Sequence, residues 1–231
     1  MFIDKPESIP LRDFDGVCLM ANFNKERFDV DNFELLNIPM PQHIVKSVKK
    51  RQAEYLAGRY LAKLAQERLN GIASEIATGP QREPLWPNGL IGSISHHQSQ
   101  AVCALTKQSN PEQGIGIDIE SVVDEETQAA LIKTVVIEEE RMLLKNYFTE
   151  SEGLTAIFSA KESIFKACYP QVKGYFDFLD VQLISCSRES FHFIFNKKLS
   201  NFINEGNIIP VSIYPQNDTI LTFTDSNWIK N

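Results

Sequence analysis

Ser109-Asn-Pro-Glu-Gln113, followed at once by Gly114-Ile-Gly-Ile-Asp-Ile-Glu120, is the stretch on which the reading of the fold turns. The first five residues carry breaker chemistry that ends regular structure. The β-branched run after them starts a strand. The break divides the 231-residue chain almost evenly, and helix-like and strand-like segments occur on both sides of it. That pattern is compatible with two similar α+β subdomains, residues 1–112 and 113–231, although no residue-level repeat demonstrates a duplication.

Working outward towards the N-terminus, residues 101–106 and 90–95 read as two short strands joined by the polar turn His96-His-Gln-Ser-Gln100. Residues 78–89 hold three prolines and two glycines and read as a loop. Residues 43–70 predict one helix, rich in Ala, Leu, Lys, Gln, Glu and Arg, with Gly71 as its stop. Gly16-Val-Cys-Leu-Met20 reads as a strand. Towards the C-terminus, residues 125–148 predict a helical region, acidic at its start, and residues 155–168 a further helix closed by Tyr169-Pro170. Beyond it, polar and apolar residues alternate, as in residues 191–195 and 208–214, and an antiparallel meander is expected.

Composition bounds the function. Apolar residues make up 43% and charged residues 23% of the chain, ordinary globular usage. The net charge of −7 argues against a general binder of nucleic acid or anionic membrane, whose affinity comes from neutralising phosphates. An anionic ligand therefore needs a local basic cluster, and Lys46, Lys49, Lys50 and Arg51 form one. Four cysteines stand far apart without a CxxC pair, which suits a reducing compartment and disfavours zinc or a disulfide framework. The N-terminal residues lack the pattern of a signal peptide, and no apolar run approaches the ~18 residues of a membrane span. A soluble cytoplasmic protein is expected.

Two elements carry chemistry. On a strand, residues i and i+2 share a face, so Asp118 and Glu120 project together while Ile117 and Ile119 turn the other way. Adjacent carboxylates repel unless a cation stands between them, and Mg²⁺ takes oxygen ligands; a solvated acidic edge is the plainer alternative. In Phe158-Ser-Ala-Lys-Glu-Ser-Ile-Phe-Lys-Ala-Cys168, helical spacing gathers Ser159, Glu162, Ser163 and Lys166 into one polar stripe among apolar residues. Glu162 and Lys166 could equally be a simple i,i+4 pair. Lys161 falls in the apolar arc and has to snorkel or meet an anion. A third carboxylate from this helix, with a lysine one turn on, completes the apparatus of phosphoryl transfer: metal and lysine for charge, carboxylate for the proton.

With these residues in view, the chain resembles the 4′-phosphopantetheinyl transferase superfamily, in its larger two-subdomain type. The matching pieces are Gly116-Ile-Asp-Ile-Glu120, Phe158-Ser-Ala-Lys-Glu-Ser-Ile-Phe-Lys-Ala167 and Gly92-Ser-Ile-Ser-His96. Arg82-Glu-Pro-Leu-Trp-Pro87 and Arg51-Gln-Ala-Glu-Tyr-Leu-Ala-Gly-Arg59 resemble its enterobactin-type branch in particular. The resemblance covers residues 45–170.

It implies an α+β fold of two similar subdomains about a pseudo-twofold, each with a small, mainly antiparallel sheet on helices, with the active site between them. It also implies transfer of 4′-phosphopantetheine from coenzyme A to a serine of an apo acyl, peptidyl or aryl carrier protein, with Mg²⁺, releasing adenosine 3′,5′-bisphosphate. By position, Asp118, Glu120 and Glu162 would hold Mg²⁺. Glu162 would act as base, directly or through water, and Lys166 would bind the pyrophosphate and offset charge in the transition state. Ser95 and His96 would contact the nucleotide, His96 near its 3′-phosphate, with Arg51, Arg59 and Arg82 on its phosphates. The resemblance points to a monomer in siderophore or other secondary metabolism.

Two other classes compete. A Mg²⁺-dependent nuclease or phosphodiesterase also clusters acids near a lysine, but common nuclease cores place that lysine two residues after the second acid, where this chain has Val122. A non-catalytic coenzyme- or carrier-binding protein has no need of three convergent carboxylates.

Overall fold

The computed structural model describes Met1–Lys230. It divides into two compact units, the first Met1–Ser109 and the second starting at Asn110. Each is a small antiparallel sheet packed on helices, the α+β architecture expected.

In the first unit the sheet order is β1-β2-β6-β5, from β1 (Glu7–Ser8), β2 (Val17–Asn22), β5 (Leu90–His97) and β6 (Gln100–Lys107). Two short helices, α1 (Asn32–Leu35) and α2 (Gln42–Val45), precede the long α3 (Lys49–Asn70). The single helix predicted over residues 43–70 is therefore broken, with Val48 extended (φ −64°, ψ 152°) between α2 and α3. The Gln52 side-chain amide stabilises the break by donating to the carbonyls of Ile44, Val45 and Ser47 at 3.0–3.2 Å, groups a helix end leaves unpaired. Gly71 ends α3 in the left-handed region (φ 78°), as read. The predicted loop 78–89 proves to hold most of a two-stranded ribbon, β3 (Ala77–Thr78) against β4 (Pro84–Leu85). The turn after β5 is shorter than expected. Its strands run to His97 and from Gln100, because Gln98 takes a positive φ of 48° and closes the hairpin with Ser99 alone.

The second unit has a five-stranded antiparallel sheet in the order β7-β11-β10-β9-β8. Its strands are β7 (Ile115–Ser121), β8 (Val181–Cys186), β9 (Ser190–Phe195), β10 (Ile208–Gln216) and β11 (Thr219–Asp225). The region predicted helical over residues 125–148 is two helices, α4 (Glu125–Thr134) and α5 (Glu138–Leu144), parted where Glu140 turns back to accept from Ile137 N–H at 2.9 Å. α6 (Glu150–Val172) exceeds its prediction at both ends. Thr149 and Glu152 form a capping box that starts it early, and Pro170 sits inside its last turns rather than closing it. Alternation on β9 drives Phe191, Phe193 and Phe195 wholly into the core beneath α6, each stabilising by about 2–3 kcal/mol. Among the described residues no helix is long and apolar enough to cross a membrane.

Candidate active site

α6 lies directly on β7, and the glycines of the opening motif permit it. A Cβ on Gly116 would stand 1.8 Å from the Ser163 carbonyl oxygen, and one on Gly114 2.2 Å from that of Ala167. Gly116, Asp118 and Glu120 alternate onto one face of β7, with Asp118 buried and Ile117 and Ile119 fully buried on the other face.

The polar stripe of α6 meets this face. Ser159 donates to Asp118 Oδ2 at 2.8 Å, and Lys166 Nζ reaches Asp118 Oδ1 at 2.7 Å and the Ile117 carbonyl at 3.0 Å. Thr222, opposite Asp118 on β11, joins the hydroxyls of Ser159 (2.9 Å) and Ser163 (2.7 Å) in one buried network.

Glu162 lies on the same stripe. Burial pushes its carboxyl above the ordinary glutamate range, with a smaller upward push from the charges of Asp118 and Glu120 and a downward pull from Lys166. Glu162 is thus within electrostatic reach of both acids of β7. Even so, among the described residues no group of three or more His, Cys, Asp or Glu side chains is gathered tightly enough to cage a metal ion. The two observations agree physically: the cation seated against Asp118 is the Lys166 ammonium. In kind, an all-oxygen set of carboxylates that repel one another fits a hard cation such as Mg²⁺.

The first unit holds a cleft of about 500 Å³ lined by Arg51, Arg59, Arg82 and His96, with Glu54 and Tyr55 among its other walls. Arg51 Nη1 donates to His96 Nε2 at 2.9 Å. Arg59 is buried, its guanidinium 5.0 Å over the Tyr55 ring and donating to Thr78 Oγ1 at 3.2 Å. Among the described residues its Nε has no hydrogen-bond partner, which is costly unless a ligand supplies an acceptor. Arg82 reaches the cleft from a strained turn position (φ 68°). Ile94 and His96 face the cleft from β5; Ser95, between them, is buried and points to the opposite face of the strand.

The family model described as "4′-phosphopantetheinyl transferase N-terminal domain" matches residues 40–106, which include the whole cleft. The one described as "4′-phosphopantetheinyl transferase superfamily" matches residues 114–209, which include β7 and α6. Enterobactin synthase component D of Salmonella typhi is 33% identical over 172 residues, 72% of this chain and 71% of the relative. The chain belongs to the 4′-phosphopantetheinyl transferase superfamily. The namesake of Escherichia coli K12 is 36% identical over 166 residues, 70% of this chain and 77% of its own. A 4′-phosphopantetheinyl transferase of Mycobacterium tuberculosis is 27% identical over 149 residues, 63% of this chain and 64% of its own. The protein is thus an enzyme, a phosphopantetheinyl transferase of the enterobactin-synthase component D branch, acting on carrier proteins.

In this transferase the residues singled out from sequence form two groups. Asp118, Glu120, Glu162 and Lys166 belong to the second unit, and Arg51, Arg59, Arg82, Ser95 and His96 to the first. The sequence reading missed Thr222, which only strand pairing brings beside Asp118, and Glu54. For Glu54 a signal existed: an acid placed three and four residues after Arg51 and Lys50, within the basic island.

Proposed function

We propose that this transferase takes 4′-phosphopantetheine from coenzyme A, uses Mg²⁺, and places the group on a serine of an apo carrier domain, releasing adenosine 3′,5′-bisphosphate. The observation that carries the reading is the half-buried Glu162 carboxylate, one helical turn from a lysine that reaches Asp118.

A carboxylate whose proton affinity is raised by burial is a better base at neutral pH than a solvated one. Glu162 takes the proton of the carrier serine hydroxyl. The serine oxygen bonds to the β-phosphorus as the bond from that phosphorus to the bridging oxygen breaks, and the bridging oxygen leaves with the nucleotide. Lys166 offsets the charge that gathers on the pyrophosphate oxygens. Asp118, Glu120 and Glu162 would hold Mg²⁺, which supplies further charge neutralisation there when bound.

Arg51, Arg59, Arg82 and His96 serve the nucleotide end; Ser95, on the other face of β5, does not line the cleft. Arginine forks suit phosphate oxygens, and the unpartnered Nε of Arg59 supports an anionic ligand in the cleft. The names of the relatives, enterobactin synthase component D, favour carrier domains of siderophore assembly over those of fatty-acid synthesis. We take the working form to be a cytoplasmic monomer.

The test incubates the full chain with coenzyme A, Mg²⁺ and an apo carrier domain, and reads the carrier by mass spectrometry. One added phosphopantetheine, with release of adenosine 3′,5′-bisphosphate and loss of transfer on chelation, supports the reading. Glu162→Gln should cut kcat by about 10²–10⁴-fold while coenzyme A still binds. An unmodified carrier, or wild-type rates for the variant, would overturn it.

A further inference from the structure

Glu54 is the single acidic side chain among the residues lining the basic cleft, and it is nearly buried. Its carboxylate stands 3.7 Å from Lys25 Nζ, 4.0 Å from Lys50 Nζ, 4.0 Å from Arg51 Nη1 and 3.8 Å from His96 Nδ1. On the other side of the imidazole, Nε2 lies 2.9 Å from Arg51. A guanidinium only donates, so Nε2 accepts. The proton of the neutral ring is then on Nδ1, the nitrogen that faces Glu54.

A phosphate oxygen can only accept, so this arrangement cannot simply be kept when a phosphate arrives. The incoming group draws the Arg51 guanidinium to itself, and Nε2 loses its donor and faces an acceptor. The ring satisfies that contact by taking a proton and donating from Nε2. Imidazolium is disfavoured among Lys25 and Lys50, which flank Glu54, and Arg51, Arg59 and Arg82, which line the cleft; His43, also in the lining, adds no negative charge. Glu54 is the charge in reach that favours it.

We propose that Glu54 is a positioning residue for nucleotide recognition, fixing His96 with Nε2 towards the ligand and supporting its protonation, so that coenzyme A binds with net uptake of a proton onto His96. This rests on the reading that the cleft takes the nucleotide end of coenzyme A, with its 3′-phosphate at His96, and adds to it a residue and a pH dependence.

The experiment titrates the full chain with coenzyme A and with dephospho-coenzyme A at fixed Mg²⁺ between pH 7 and 9, by calorimetry in buffers of differing ionisation enthalpy. Above about pH 7 the 3′-phosphate is largely a dianion, so its own titration does not intrude. Wild type should take up a fraction of a proton with coenzyme A and not with the dephospho form; while it does so its Kd should rise with pH, by up to about tenfold per pH unit, and level off once the bound ring too is deprotonated. In Glu54→Gln that levelling should come at lower pH, leaving Kd about three- to tenfold weaker at pH 7 and converging on wild type towards pH 9. His96→Asn should abolish the uptake. Glu54→Gln and wild-type curves that run parallel throughout, or uptake that survives in His96→Asn, would overturn the proposal. If Glu54→Gln fails to fold, the His96→Asn titrations with the two nucleotides still decide it. The underlying reading fails separately, if Arg51→Ala and His96→Asn both bind coenzyme A as tightly as wild type at every pH.

Discussion

Lys166 Nζ lies 2.7 Å from Asp118 Oδ1, so the last lysine of the α6 motif is moored to the strand that carries the acidic pair. Asp118 is buried and Lys166 only half so, and Ser159 holds the second oxygen of the carboxylate. One ammonium thus bridges helix and strand and eases the ionisation of Glu162 one turn earlier. In the proposed reaction, anionic oxygens of the substrate compete with Asp118 for it.

Lys166→Gln tests that role. Glutamine can still bond to the strand but brings no charge, so turnover should fall by about 10²–10³-fold, the usual effect of removing one donor from developing negative charge. The KM for the carrier should stay within about twofold, because uniform binding is untouched. Single-turnover transfer followed by mass spectrometry reads both, and a variant within twofold of the wild-type rate would show that Lys166 only braces the helix.

Gly116→Ala probes why the opening motif carries glycine. A methyl group there meets the Ser163 carbonyl at 1.8 Å and its carbon at 2.7 Å. Both are helix backbone, so no rotamer change relieves the clash. The expected loss is roughly 3 kcal/mol or more, above the usual range for overpacking, read as a lowered denaturant midpoint and poor folding of the second unit. Wild-type stability would mean that α6 and β7 are not in the contact described.

How far each element was legible follows from the range of the interactions that define it. The acidic pair and the α6 stripe were readable because strand period 2 and helix period 3.6 are local properties of Ile115–Ser121 and of residues 158–168. The start of α6 is local too, since Thr149 and Glu152 spell a capping box, yet Pro170 reads as a stop although a helix can hold it near its end. The division of α3 from α2 depends on the Gln52 side chain folding back to carbonyls five to eight residues away. No propensity reports such a contact. The cleft of the first unit was legible from the residues themselves only as a basic island, because Glu54 meets His96 across 42 residues of chain through the packing of α3 on β5.

The capping box makes a prediction with a sign. The backbone N–H and hydroxyl of Thr149 hold the Glu152 carboxyl below the usual glutamate range. An acid whose folded-state value is depressed adds stability in full above its unfolded value, near 4.3, and loses it as pH falls through the lower folded value. Thr149→Ala should therefore cost about 1 kcal/mol at pH 7. Its deficit should shrink as pH drops below about 4. Denaturation curves at pH 7 and pH 3.5 test this, and a deficit that grows on acidification would reverse the sign.

Lys161 was expected to snorkel or to find an anion, and it finds Glu140. Its Nζ lies 2.9 Å from Glu140 Oε1 and donates to the Val135 carbonyl at 2.8 Å, with both side chains essentially without solvent exposure. Glu140 also accepts from Ile137 N–H and Leu183 N–H, so one buried pair ties α6, α5 and β8 together. Burial pulls the lysine pKa down, against the opposing pull of Glu140. Removing the lysine alone strands a carboxylate in the core, and Lys161→Met should cost about 3–5 kcal/mol. Lys161→Met combined with Glu140→Gln should recover part of this. It should not recover all, because a glutamine offers one carbonyl oxygen where two backbone N–H groups now meet two carboxylate oxygens. A remaining deficit of about 1–3 kcal/mol is the expected cost of the donor left unpaired. Thermal and denaturant unfolding of the two single variants and the double variant close the cycle. A double variant as unstable as the sum of the singles would mean that the two charges do not act as a pair, and that the lysine is held by the Val135 carbonyl alone.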